Sequence, residues 1–123
     1  MFDQWNTAKT FKAGQFDIEV AWAYEDMPLR DCFDEDLFDL EDLQDRCERY
    51  VDTHYMVRVR ALCDGVEMGA DYLGSCYASD CDPADDIELG IDGYLEDMVS
   101  SVVSQAQEEA VKMLDRLKAD FLS

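Results

Sequence analysis

Hydrophobic and polar residues alternate from Phe16 to Tyr24. Phe16, Ile18, Val20, Trp22 and Tyr24 fall on one side, with Asp17, Glu19 and then Glu25 on the other. A period of two carried by aromatic and β-branched side chains predicts a strand with one face on a core. The run Glu25-Asp26-Met27-Pro28 closes it. Between Asp36 and Val51 the spacing changes, and Leu37, Leu40, Leu43, Cys47 and Tyr50 form one stripe that predicts a helix. Asp39, Asp42 and Asp45 lie on its other side, followed by Arg46 and Arg49. Acids first and bases last suit the helix dipole, and Asp42–Arg46 and Asp45–Arg49 are spaced as i,i+4 pairs.

Asp64-Gly65 sits between two alternating runs and favours a two-residue type I′ turn. Residues 54–64 and 65–77 are therefore expected to form a hairpin. With Cys63 opposite Val66, an unbroken register pairs Ala61 with Met68, Val59 with Ala70 and Val57 with Tyr72. It also sets Arg58 against Asp71, an opposite-charge cross-strand pair. Ser79 to Gly90 is polar, acidic and interrupted by Pro83, and reads as a loop. From Ile91, the residues Tyr94, Leu95, Met98, Val102, Ala106, Ala110, Met113, Leu117 and Phe121 recur every three or four positions. They predict a helix of roughly 28 residues, ~42 Å long. Residues 1–14 show no clean period and are expected to be irregular.

The order β-α-β-β-α predicts an α+β fold, with a small antiparallel sheet of about three strands and the long C-terminal helix packed on one face. At 123 residues the chain is sized for one domain, 1–123, and 48% hydrophobic residues including fourteen aromatics can fill its core. A helix longer than the sheet must cover its overhang, so a homodimer seam stands beside the plain core reading of its apolar stripe.

Ten bases against thirty acids leave a net charge of −20. That charge argues against direct nucleic-acid binding, which needs clustered Lys and Arg, and against anionic membrane surfaces. The start Met1-Phe2-Asp3 has neither the basic nor the apolar region of a signal peptide, and no apolar run approaches the ~20 residues of a spanning helix. Five scattered cysteines, an odd number, read as reduced thiols in a cytoplasmic protein.

Catalytic signals are weak. The lone histidine, His54, stands at a strand start beside Asp52 with no Ser or Cys motif, and no glycine-rich phosphate loop opens a helix. The cluster Asp80, Asp82, Asp85, Asp86 and Glu88 offers oxygen ligands, but it lacks the glycine and the spacing of a calcium-binding loop. Four zinc ligands at finger spacing are absent. No enzyme activity, metal or cofactor is expected.

Charge distribution is more informative than charge total. Asp31 to Asp45 contains eight acids and no base, and the 51 residues between Arg60 and Lys112 contain thirteen acids and no base. Like charges at helical spacing repel, so an ordinary solvated face mixes signs. Eight acids along a 15-residue helix give about one charge per 3 Å, against one per ~1.7 Å of duplex axis. Three explanations compete: a DNA mimic that occupies the groove of a nucleic-acid-binding protein, an acidic adaptor or assembly protein for a basic partner, and a domain from a halophile. On the first, the contact surface comprises Asp34, Glu35, Asp36, Asp39, Asp42 and Asp45, with Asp80, Asp82, Asp85, Asp86 and Glu88 as a second patch. The 31–45 segment ranks first, because a helix holds charges at fixed spacing while a loop must be ordered on binding.

The run Thr53-His54-Tyr55-Met56-Val57-Arg58-Val59-Arg60-Ala61, the turn Asp64-Gly65-Val66-Glu67-Met68-Gly69 and the segment Asp71-Tyr72-Leu73-Gly74-Ser75-Cys76 resemble small uncharacterised phage and plasmid proteins. Tyr94-Leu95-Glu96-Asp97-Met98-Val99 and the helix it opens look similar as well. In size and acidity the chain is similar to phage-encoded DNA-mimic inhibitors of the anti-restriction and anti-CRISPR type. That resemblance implies an inhibitor acting in the host cytoplasm on a nucleic-acid-binding defence complex, and it transfers no site residue.

Overall fold

Gly14 turns the N-terminal segment back onto the first alternating strand, so the region without a clean period is itself a strand. In the computed structural model, which describes residues 4–122, β1 (Asn6–Ala13) pairs antiparallel with β2 (Phe16–Tyr24). Gly14 has φ +62°, the positive φ that a two-residue hairpin turn beginning with glycine requires. The expectation of an irregular 1–14 is corrected for the described part of that segment, residues 4–14. Its pattern is blurred because the strand lies at the sheet edge and a bulge between Thr7 and Lys9 breaks the alternation.

The sheet thus has four strands rather than about three, in the order β1-β2-β3-β4, all neighbours antiparallel. β3 (Thr53–Cys63) and β4 (Val66–Ala78) form the hairpin, with Asp64 at φ +50° and Gly65 at φ +81°, as a type I′ turn demands. A short helix α1 (Leu29–Cys32) and a longer one, α2 (Leu40–Glu48), connect β2 to β3. After β4 come α3 (Pro83–Glu88), a single 3₁₀ turn over Ile91–Gly93, and α4 (Tyr94–Phe121). The α+β architecture and the 28-residue C-terminal helix are as the pattern predicts.

The hairpin register differs from the unbroken one. Cys63 faces Val66, but Met68 is an extra residue, and beyond it Ala61 faces Gly69, Val59 faces Asp71 and Val57 faces Leu73. Arg58 is therefore opposite Tyr72, not Asp71. A bulge shifts every later pair by one and reverses which side chains face the core. Leu73 packs against the core, while Tyr72 is exposed. A second irregularity sets Gly74 and Ser75 against Met56, with Ser75 at φ +59°. Both interruptions lie on an edge strand, where they disrupt a template for unwanted pairing.

One sheet face carries the core: Phe16, Ile18 and Val20 of β2 with Tyr55, Val57, Val59 and Ala61 of β3. Leu95, Met98, Val102 and Ala106 of α4 cover them. Burying each larger side chain contributes roughly 1.5–3 kcal/mol, so docking rather than propensity holds α4 in place. α4 crosses close over Gly69, where a Cβ would lie 2.7 Å from the Val102 carbonyl oxygen and 2.9 Å from Gln105 Cβ. The next backbone N–H, of Ala70, donates to Gln105 Oε1 at 3.1 Å. Gly69→Ala is expected to destabilise the protein by about 1–3 kcal/mol in urea titration, since a helix backbone must shift to admit the methyl. An unchanged midpoint would show that α4 does not sit this close.

Candidate partner-binding surface

The acidic segments are built from their own helix ends. Asp39 caps α2, its Oδ1 accepting the Asp42 N–H at 3.2 Å, and Asp34 Oδ1 accepts the Asp36 N–H at 2.8 Å. The helix is shorter than expected. It spans Leu40–Glu48 rather than 36–51, because capping by Asp39 excludes residues before it and Tyr50 takes φ +61° after it. Asp34, Glu35 and Asp36 therefore lie in a turn, and only Asp42 and Asp45 of the first patch are within the helix. All six acids of that patch are exposed. The stripe beneath them is only half-buried at Leu40, Leu43 and Cys47, and Leu37 is 76% exposed.

The expected loop from Ser79 to Gly90 contains α3, so a helix holds charges of the second patch as well. Asp82 and Asp85 form a capping box: Asp82 Oδ1 accepts the Ala84 N–H at 3.0 Å, and Asp85 Oδ2 accepts the Asp82 N–H at 3.3 Å. Pro83 at the first helical position suits the fixed φ of that site. Polar punctuation thus turns out to be a helix start signal, with Ile87 as its buried anchor. Asp80, Asp82, Asp85 and Glu88 are exposed. Asp86 is half-buried and differs from the rest: it accepts the Tyr55 hydroxyl at 3.0 Å and stands 3.6 Å from the Cys81 thiol.

Asp52, marked in the sequence only as the neighbour of His54, ties the two segments. It is 2% exposed, the one charged side chain buried among the described residues. Arg46 from α2 donates to it twice, Nε to Oδ2 at 2.7 Å and Nη2 to Oδ1 at 3.1 Å. The Asp80 backbone N–H donates to Oδ1 at 2.8 Å, and the Tyr77 hydroxyl donates to Oδ2. The Arg46 bonds, with those of Tyr77 and Asp80, hold the carboxyl down at about 2 against its burial. Arg46 therefore serves Asp52, six residues on, rather than the expected Asp42. The expected Asp45–Arg49 pair is present at 3.1 Å. Thr53 pairs with Ala78, so α2 leads into β3 at the same end of the sheet where β4 leads towards α3. The buried carboxylate of Asp52 thus ties the end of the first acidic segment, at Arg46, to the start of the second, at Asp80, while α3 runs on over the core face towards Lys9 and Phe11 of β1.

Bases elsewhere are largely occupied. Glu19 accepts Arg60 Nε at 2.9 Å and Arg58 Nη2 at 2.8 Å, which depresses its carboxyl below the ordinary range. The Arg58 guanidinium also lies 4.5 Å from the Trp5 ring centre, stacked on the outer sheet face. Lys12 pairs with Asp17 at 2.9 Å. Four cations lie near the α2 and α3 acids: Arg46 is held by Asp52, Arg49 faces Asp45, Arg30 lines a shallow groove with Glu41 and Glu48, and Lys9 lines another with Glu88 and Glu96.

Two cavities flank this end. One of about 510 Å³ lies among Phe33, Tyr55, Tyr77, Asp86 and Tyr94, and one of about 360 Å³ among Glu25, Cys47, Asp52 and His54. His54 Nε2 is buried without a hydrogen-bond partner, and burial lowers the imidazole's pKa. All five cysteines are unpaired, and burial beside Asp86 and Glu25 pushes the Cys76 thiol up to about 11. Among the described residues no three His, Cys, Asp or Glu side chains converge as a metal's ligand set, and no helix is long and apolar enough to cross a membrane. No protein-family model matches this chain, and no curated protein or solved structure is significantly similar to it.

Proposed function

We propose that this protein is a DNA-mimic inhibitor, which blocks a nucleic-acid-binding defence complex of its host by placing carboxylates in the basic groove that nucleic acid would fill. The tie through Asp52, which holds Arg46 at the close of the first acidic segment and the Asp80 N–H at the start of the second, is the observation that carries this reading. α2 carries Glu41, Asp42, Asp45 and Glu48 over nine residues, about one acid per 3.4 Å of helix. α3 and its cap carry Asp82, Asp85, Asp86 and Glu88 over a still shorter length. Helix caps fix much of this charge before any partner arrives, so little ordering entropy opposes binding. In this reading the chain works in the host cytoplasm, without cofactor, reaction, membrane or nucleic acid of its own.

A second reading has one observation of its own. The exposed apolar residues of α4 beyond Ala106 suit an acidic adaptor or assembly protein that binds chiefly through a hydrophobic helix face. Salt separates the two. Capturing the partner from the native host and titrating the complex at rising NaCl should show affinity falling steeply, because screening acts within ~8–10 Å at physiological ionic strength. Salt-tolerant binding would favour the adaptor.

A further inference from the structure

The stripe of α4 that packs on the sheet does not stop where the sheet does. Leu95, Met98, Val102 and Ala106 are buried, and the same side of the helix continues as Ala110, Met113, Leu117 and Phe121. From Val111 onward every described residue is exposed, with Leu117 at 51% and Phe121 at 76%. α4 starts beside α3 and passes Gly69 near the β3–β4 turn, so this projecting part lies at the opposite end of the sheet from the acidic segments.

We propose that the projecting part of α4 pairs antiparallel with the same segment of a second copy. Charge selects a second copy over a basic partner. From Glu109 to Leu122 three bases (Lys112, Arg116, Lys118) stand against three acids (Glu109, Asp115, Asp120), no net charge in a chain of −20. A basic partner finds no net charge to attract it there, whereas two copies of this strongly acidic chain meet at that segment with less repulsion than across their acidic bodies. Charge also selects the direction. Glu109 and Arg116 flank the apolar stripe on one side, seven residues apart, so antiparallel helices bring Glu109 of each copy towards Arg116 of the other. A parallel pair would place Glu109 and Arg116 of the two copies on opposite sides of the interface, unable to meet, and would force the acidic bodies together. Antiparallel pairing holds those bodies at opposite ends, beyond the screening length, with both acidic surfaces facing outward. The dimer goes beyond the inhibitor reading and does not depend on it.

The test is sedimentation velocity on the full chain at high micromolar concentration, in low and high NaCl. The expected mass is twice the 14.1 kDa of the monomer, with association strengthening as salt rises, because screening removes body–body repulsion while apolar contact persists. That salt dependence is opposite to the one expected for the inhibited partner, so failure of either proposal is separately visible. Leu117→Glu should run as a monomer with an unchanged circular dichroism spectrum. Glu109→Arg and Arg116→Glu should each weaken association, and the double reversal should restore it. A monomer at every salt, a dimeric Leu117→Glu variant, or a double reversal as weak as the singles would overturn the proposal.

Discussion

Asp52→Ala is expected to lower the unfolding free energy by about 3–5 kcal/mol, the range for breaking a buried ion pair. Two costs add up. The Asp80 N–H loses its acceptor and the Tyr77 hydroxyl keeps only the Leu43 carbonyl oxygen at 3.5 Å, where a buried group left unsatisfied costs about 1–3 kcal/mol. Arg46 loses its bidentate partner, although its own side chain is 37% exposed and can turn to water. Urea titration measures the loss. Asp52→Asn keeps the shape and isolates the charge. A carboxyl held at about 2 in the folded chain, against 3.8 ordinarily, stabilises fully above pH ~4 and ceases to do so as pH falls towards 2. The advantage of the native protein over Asp52→Asn should therefore shrink across that window. Protonation of the many exposed acids relieves repulsion in both proteins alike, so the difference reports Asp52. An advantage independent of pH would mean that Asp52 is not ionised in the fold.

Converting Asp80, Asp82, Asp85 and Glu88 to their amides should weaken partner binding by several kcal/mol. Each exposed ion pair is worth only roughly 0–1 kcal/mol, but a basic groove meets several together and sheds its counter-ions. Asp86 is left intact because it accepts the Tyr55 hydroxyl and its loss would disturb the core. Asn retains helix-capping ability at position 82, so the fold should survive. The matching set in the first segment is Asp34, Glu35, Asp36 and Asp42. Asp45 contributes less, being already paired with Arg49. Calorimetric titration of both quadruple variants checks this, and unchanged affinity in both would remove the acidic surface from the interaction.

What could be read in the sequence follows from how each signal is generated. β2 and the hairpin turn were legible because alternation and Asp64-Gly65 are local, and the 28-residue helix because its apolar period persists over so many turns. β1 was not, since an edge strand with a bulge need not alternate. The register beyond Met68 was missed for a related reason: a bulge inserts one residue without a composition cue, and the unbroken pairing with Arg58 against Asp71 looked equally sound. α3 was hidden by its own caps, because Asp82-Pro83 and Asp85 are turn residues until Ile87 is known to be buried. Asp52 could not be found among thirty acids by pattern alone. Its burial depends on Arg46, Tyr77 and Asp80, which only the fold brings together. The acids named for the candidate surface are legible through the absence of bases around them, though not the tie through Asp52 between Arg46 and Asp80.

The most direct measurement of the central claim is competition. With the captured partner bound to a fluorescently labelled nucleic acid, adding this protein should lower the anisotropy to that of free nucleic acid, with a midpoint that rises with the nucleic-acid concentration. The amide variants should need correspondingly more protein. A ternary complex, in which the protein binds while the nucleic acid stays fully bound, would contradict the mimic account.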